Sequence, residues 1–438
     1  MMFADSKKRF LLISFALYMF MYMTLLTAIN QEASGIVDAG AQLILYYVDM
    51  FSVMMGFIIY SLFYDVFKKR DFPLYIAVFN VIILFCTFIV KTEAIFMIMA
   101  PIIGLLLGFF GGFFYTFMAL SLHDKNDAGM IIGTAMSIAV FFQWLLQIYI
   151  GIKMRYIFII AILVMIFFIM KRDHYRQENP VFEIKPLVSA DILPIIIVSG
   201  LVFLVFSFDN RMENLLTAVQ FKEINIYTWP RLFLIVSYLG FGYVHDRFNG
   251  LYDQLSVLMA ALFSIISLIL LSNGVYINMA MSIFYLELGL LISYYNLVFW
   301  KISINRKHLS FWASMGRIID GGFSIVLALL WKGGVDLYME IIIDVAVVIL
   351  IVILIAVENK NRIGDKNKTD LEEFAARYHL TEREKDVFNA LLKPEMGVEQ
   401  MAEELFISRR TLQRHISSIY EKCHVSNRVG LITLVYKK

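Results

Sequence analysis

The 438 residues predict an all-α protein in two parts: a polytopic membrane bundle of about twelve helices in two pseudo-repeated halves, then a small C-terminal domain of four short helices. Three observations predict this. Composition comes first: 60% of residues are hydrophobic and 17% charged, with mean hydropathy +0.74, far above a soluble domain. Second, apolar runs long enough to cross a bilayer recur about every 30 residues. Third, after residue 370 the pattern changes to short amphipathic stretches with clear start and stop signals.

The spans are placed near 10–29, 41–64, 72–90, 95–121, 129–150, 156–170, 191–208, 224–244, 251–272, 275–299, 309–331 and 338–357. With the N-terminus inside, the cytoplasmic loops hold Lys7, Lys8, Arg9, Lys68, Lys69, Arg70, Lys125, Lys171, Arg172, Arg176, Lys185, Arg247, Lys301, Arg306 and Lys307. The other side holds only Lys91, Lys153, Arg155, Arg211, Lys222 and Lys332. That asymmetry sets orientation, and an even span count returns the C-terminus to the cytoplasmic side. The expectation is therefore a multi-pass protein of the cell inner (cytoplasmic) membrane with both termini in the cytoplasm. Lys7-Lys8-Arg9 followed by a long apolar run, with no clear small-residue cleavage site, reads as a retained first span.

Residues 1–357 thus form the membrane domain, with halves at about 1–170 and 191–357 and a polar central loop at 171–190. Residues 358–370 (ENKNRIGDKNKTD) show no apolar period and read as a flexible linker. Residues 371–438 form the tail domain. The two cysteines, Cys86 and Cys423, make no disulfide framework.

In the tail, Thr381 and Glu384 have capping-box spacing, and Val387, Leu391 and Leu392 share one face before Lys393-Pro394 stops the helix. A second helix holds Met401, Ala402 and Leu405. A tight turn through Phe406-Ile407 reaches Ser408, a good N-cap. The third helix buries Leu412, Ile416, Ile419 and Tyr420 and shows Arg409, Arg410, Gln413, Arg414 and Ser417 on its other face. Two helices joined by a short turn, the second rich in Arg and Gln at its start, make the helix-turn-helix layout. Arg suits bidentate contacts to guanine and Gln to adenine. Charge is sorted too: residues 370–404 are acidic and residues 408–438 basic, which gives phosphates one face to meet. The plainer alternative is a helical protein-interaction domain whose arginines are only solvated.

This stretch resembles the DNA-binding domain of LuxR-type transcription regulators. Leu380, Thr381, Arg383, Glu384, Val387, Ala402, Leu405, Ile407, Ser408, Arg410, Thr411, His415, Ile419, Lys422, Val425, Ser426 and Arg428 carry the resemblance. Gln413 departs from the usual Lys, Leu412 from Val, and Cys423-His424 from Leu-Gly; Asn427 stands before Arg428 as an insertion. The resemblance implies that Gln413, Arg414 and Ser417 face bases, that Thr411 meets phosphate and that the last helix pairs two copies. The candidate set for double-stranded DNA is Arg409, Arg410, Thr411, Gln413, Arg414, Ser417 and Arg428, in a homodimer joined through this domain. His415 has no second ligand at metal-binding spacing.

Within the membrane part, Gly242, Asp246 and Arg247 follow the eighth span, and Asp65, Lys69 and Arg70 follow the second, with Ser61 and Val66 in place of Gly and Arg. The pair resembles the repeated loop of the major facilitator superfamily, which implies two six-helix halves around a central cavity. Intramembrane charges are costly and mark candidate sites. Asp49 and Arg231 sit at matching heights in the two halves, roughly 23 Å from the inner loops. Glu287 lies mid-span, and Arg317 and Asp320 are one turn apart and able to pair. On the resemblance Glu287 is the first cavity candidate, and Asp49, Arg231, Arg317 and Asp320 line the cavity or bridge the halves; the alternative is ion pairs that lock the bundle. Gly104, Gly108, Gly111 and Gly112 mark a close helix approach. No catalytic constellation, metal-ligand cluster or cofactor fingerprint is present. The function expected is a membrane-bound regulator that senses an unidentified small molecule in the membrane domain and binds DNA with its tail, in contact with membrane lipid. The alternative is a secondary transporter with a regulatory tail.

Overall fold

The computed structural model describes residues 6–33, 35–37, 39–67, 72–89, 92–123, 125–171, 184, 186, 189–217, 229–272, 276–331, 336–393 and 396–436. The chain divides into two compact units, Met1–Leu354 and Ile355–Lys438. The first half of the bundle is α1 (Ser6–Ala33), α2 (Ala39–Leu62), the single turn α3 (Tyr64–Phe67), α4 (Phe72–Ile89), α5 (Glu93–Leu122), α6 (Ala128–Tyr149) and α7 (Ile152–Lys171). The second half is α8 (Ser189–Thr217), a 3-10 turn at Trp229–Leu232 that leads into α9 (Phe233–Arg247), α10 (Asp253–Ser272), α11 (Ile277–Ser303), α12 (Leu309–Ala313), α13 (Met315–Trp331) and α14 (Leu337–Arg377). The described residues of each predicted span fall mainly on helices, and eight helices among the described residues are long and apolar enough to cross a membrane. The central loop 171–190 and the first loop copy at Lys69 and Arg70 lie almost wholly outside the described residues.

One expectation is corrected. Residues 358–370, read as a flexible linker, have helical backbone within α14. Polarity does not stop a helix whose side chains can reach water; a breaker does, and residues 358–377 contain no proline.

Small residues set how closely the helices approach. A Cβ on Gly108 of α5 would lie 1.9 Å from the Val53 carbonyl oxygen of α2, and one on Gly56 of α2 would lie 2.1 Å from that of Leu105. The predicted glycine face therefore puts two backbones in contact. The halves meet in the same way: a Cβ on Gly133 of α6 would come within 2.4 Å of the Tyr238 carbonyl oxygen of α9. At the end of that crossing the Asp246 carboxylate accepts from the backbone N–H groups of Gly129 (2.8 Å) and Met130 (2.7 Å). Asp246 thus caps a helix of the opposite half, where negative charge complements the helix dipole.

The tail holds α15 (Glu382–Leu391), α16 (Val398–Glu404), α17 (Arg409–Lys422) and α18 (Arg428–Tyr436). They close around their own core, with Val387, Phe388, Leu391, Met401, Leu412, Ile419 and Leu431 all buried.

Candidate functional site

Local chemistry at two helix starts builds the tail. Thr381 donates its N–H to Glu384 Oε2 at 2.7 Å, and Thr381 Oγ1 accepts the Glu384 N–H at 3.4 Å, the reciprocal box that the spacing predicts. Ser408 Oγ accepts the Thr411 N–H at 3.1 Å and starts α17. Leu412, Ile416 and Ile419 then point into the core. A rotation of about 100° per residue leaves Arg409, Arg410, Gln413, Arg414 and Ser417 on the outer face, all exposed, with Thr411 exposed beside them. Arg409 pairs with Glu399 at 2.8 Å, with both side chains well solvated, so the pair is easily exchanged for a phosphate. His415 is half-buried.

Two departures from the LuxR-type pattern are absorbed without loss of shape. Cys423 is buried where that pattern has Leu, and His424 takes φ +54°, the left-handed conformation suited to the Gly it replaces. Its own N–H bonds the Glu421 carbonyl, and the next N–H, from Val425, reaches back to Tyr420 at 2.9 Å. Asn427 caps α18, its Oδ1 accepting from the Gly430 N–H at 2.8 Å. The turn before α17 carries a similar strain: Phe406 has φ +52° and is 95% exposed.

The basic set is smaller than predicted. Arg428 donates Nε to the Leu391 carbonyl at 2.7 Å, one terminal nitrogen to the Met396 carbonyl at 2.8 Å and the other to the Lys393 carbonyl. Its guanidinium gathers three carbonyls between the last residue of α15 and the start of α16, so Arg428 is corrected from a DNA candidate to an internal clamp. Lys422 is likewise engaged, donating to Glu384 Oε2 at 2.6 Å and to the His379 carbonyl at 3.0 Å. Glu384 also accepts from the Ser418 hydroxyl at 2.6 Å. Burial pushes its carboxyl up, but the Lys422, Ser418 and Thr381 hydrogen bonds outweigh this and hold it at about 2. The sequence marks Glu384 as half of a capping box; its place at the centre of a network joining α15 to α17 has no signal in spacing.

In the bundle, Arg317 and Asp320 pair at 3.2 Å as their spacing predicts. Arg317 Nε also donates to the Tyr115 hydroxyl at 2.9 Å, and the guanidinium lies 5.1 Å from the ring centre of Tyr22 and 5.8 Å from that of Tyr295. Tyr22 and Tyr115 belong to the first half, so this cation bridges the halves. Arg231 does so as well: it donates to Gln143 Oε1 at 2.8 Å, and Gln143 Nε2 donates to the Met23 carbonyl of α1 at 3.0 Å. Asp49 is buried on α2 beside Gly104 of α5, and neither carboxylate oxygen makes a hydrogen bond among the described residues.

Glu287 is fully buried on α11, and the polar and acidic groups that act on its carboxyl, Ser264 of α10, Asp344 of α14 and Asp209 of α8, belong to the second half. Tyr285, two residues away, is the residue that lies under Arg231. Among the described residues no group of His, Cys, Asp or Glu has metal-holding geometry.

Comparison with known proteins agrees with both parts. Residues 378–435 match the family described as GerE, bacterial regulatory proteins, luxR family. Over 57 residues the chain is 39% identical to the spore germination protein GerE of Bacillus subtilis (strain 168), which covers 76% of that protein and 13% of this chain. In structure the chain is similar to the human organic anion transporter MFSD10 (TETRAN), with TM-score 0.59 at 11% identity, over 80% of this chain and 99% of that one. At that identity the likeness is one of fold alone. Through its tail, the chain belongs to the luxR family of bacterial regulatory proteins, a family of DNA-binding transcription regulators.

Proposed function

We propose that this protein is a one-component transcription regulator held in the bacterial cytoplasmic membrane, with both termini in the cytoplasm. The single observation that carries the reading is the exposed face of α17. Arg409, Arg410, Gln413, Arg414 and Ser417 stand together on a helix whose other side is locked into a core, in a chain whose remainder is a membrane bundle. Arg414 and Gln413 read base edges, Ser417 lies further along the same groove, and Thr411, Arg409 and Arg410 meet phosphates. Two tails pair on a two-fold site. A small molecule that favours one packing of the halves changes how the tails pair; a molecule that binds both packings equally changes nothing. Arg317, Asp320, Arg231 and Gln143 are the groups whose partners such a change would exchange, since they bridge the halves.

The test uses the full-length protein in lipid nanodiscs and fluorescence anisotropy against a pool of selected DNA duplexes. The expected result is sequence-dependent binding that weakens steeply with salt. Failure of the folded protein to bind any duplex at low salt removes the reading.

A second reading is favoured by the likeness to a protein named for organic anion transport. Two arginines at the seam suit an anionic solute, and the tail then reports occupancy of a working transporter. Substrate-dependent flux in proteoliposomes would establish it; DNA binding that responds to a compound without flux returns the first.

A further inference from the structure

On the membrane-facing side of the first half, α1, α6 and α7 enclose a groove of about 570 Å³ that neither the DNA face nor the seam uses. That volume is in the usual range for a small-molecule site. Its floor includes Leu12, Ala16, Ala139 and Leu146, all buried, and its rim includes Phe142 (55% exposed) and Tyr149 (74% exposed). Every lining side chain is a hydrocarbon or an aromatic ring, and the Tyr149 hydroxyl is the one polar side-chain group among them.

We propose that this groove is a site for one acyl chain of an anionic phospholipid from the surrounding bilayer. A polar solute would leave its hydrogen-bonding groups unmatched there, at a cost of several kcal/mol. A hydrocarbon chain has no such groups. It gains no hydrophobic energy on leaving the bilayer core, so it is held by dispersion contacts with a preformed surface. The polar part of the molecule must then lie outside the groove. The rim at Tyr149 and Ile150 is where it emerges, and Lys153, exposed on the first turn of α7, stands three residues beyond Ile150. Tyr and Lys are residues of the bilayer interface, and a lysine there favours an anionic headgroup.

The site lies next to the inter-half bridge. The walls α1 and α6 are tied on their buried side by Gln143, which follows the rim residue Phe142 and holds both the Met23 carbonyl and Arg231. A chain seated between α1 and α6 therefore sets the spacing that Gln143 spans. This link rests on the sensor reading; the lipid site does not.

The experiment reads lipid alone, so its failure is separate from failure of DNA binding. Full-length protein in phosphatidylcholine nanodiscs receives a minor fraction of phosphatidylglycerol with an alkyl-diazirine chain; after irradiation, adducts are mapped by peptide mass spectrometry. Adducts should concentrate at least fivefold in residues 12–20, 138–150 and 158–162 over the exposed face of α10 at Leu262 and Ile266. Ala139→Phe should remove that excess and leave α10 labelling unchanged. Ile13→Trp fills the mouth from a half-exposed position and should act likewise should Ala139→Phe not fold. Phosphatidylcholine with the same chain should label the groove less, and Lys153→Gln should erase the difference. Even labelling over all lipid-facing helices overturns the site; equal labelling by the two lipids overturns the anionic assignment.

Discussion

Arg317 and Arg414 are the same residue type put to opposite uses. Arg317 is buried and meets a carboxylate, a hydroxyl and two aromatic rings. Arg414 is exposed on α17 and makes no ion pair among the described residues. The difference follows from solvent. Inside a bilayer a cation must bring its partners with it, because unmatched burial costs several kcal/mol. In water the cation is satisfied until a phosphate or a base edge displaces its hydration, and the energy is then available for binding. Polar groups of the bundle are therefore held by protein partners, whereas those on the outer face of α17 stay open to solvent.

The largest test breaks the bundle alone. Gly108→Leu places atoms where the Val53 carbonyl stands and forces α2 from α5. We expect a loss above about 4 kcal/mol, seen as absence of a monodisperse peak in gel filtration of the detergent-extracted protein. Next, Arg317→Met removes a buried cation from the half-buried Asp320 and should cost about 1–3 kcal/mol, read from the melting temperature; adding Asp320→Asn should restore much of it. If Arg317→Met proves harmless, the seam pair is not structural and the contrast with Arg414 fails.

The Glu384 network gives a pH test within the tail. Unfolded, the carboxyl titrates near its ordinary value of 4.5; in the fold it is held at about 2. A depressed carboxylate contributes its stability fully above the unfolded value and loses it as pH falls through the folded one. The tail should therefore lose roughly 3 kcal/mol between about pH 4.5 and 2, and Glu384→Gln should flatten that part of the profile in circular dichroism melts.

Smaller effects sort the DNA face. Arg414→Ala should cost about 1–3 kcal/mol on preferred duplexes and relax base preference, whereas Arg409→Ala should weaken all sequences alike and lower the salt slope by about 1. Anisotropy titrations at several salt concentrations check both. The smallest change is a gain: Phe406→Gly should stabilise the tail by about 1 kcal/mol, since a left-handed φ suits glycine.

Features that depend on neighbours in sequence were legible before any coordinates. The Thr381–Glu384 box, the Ser408 cap and the Arg317–Asp320 pair each span a single turn, the glycine face of α5 little more than two, and spacing decides them. Features that depend on distant chain were not. Nothing near Arg428 announces that three carbonyls between α15 and α16 accept from it, and nothing near Asp246 announces two open N–H groups at the start of α6.

By itself, the order of residues determined that most of this chain lives in a bilayer and that its tail is a small helical domain with one basic, glutamine-bearing face. Hydropathy, helical period and capping are short-range properties, and they suffice for that. Tertiary structure alone decided which polar groups face the seam, which arginines remain for DNA and which are spent inside the fold. Those outcomes depend on pairs of atoms brought together over 88 residues or more in the bundle, and over 30 or more in the tail, and desolvation favours partners that only the packed chain can supply.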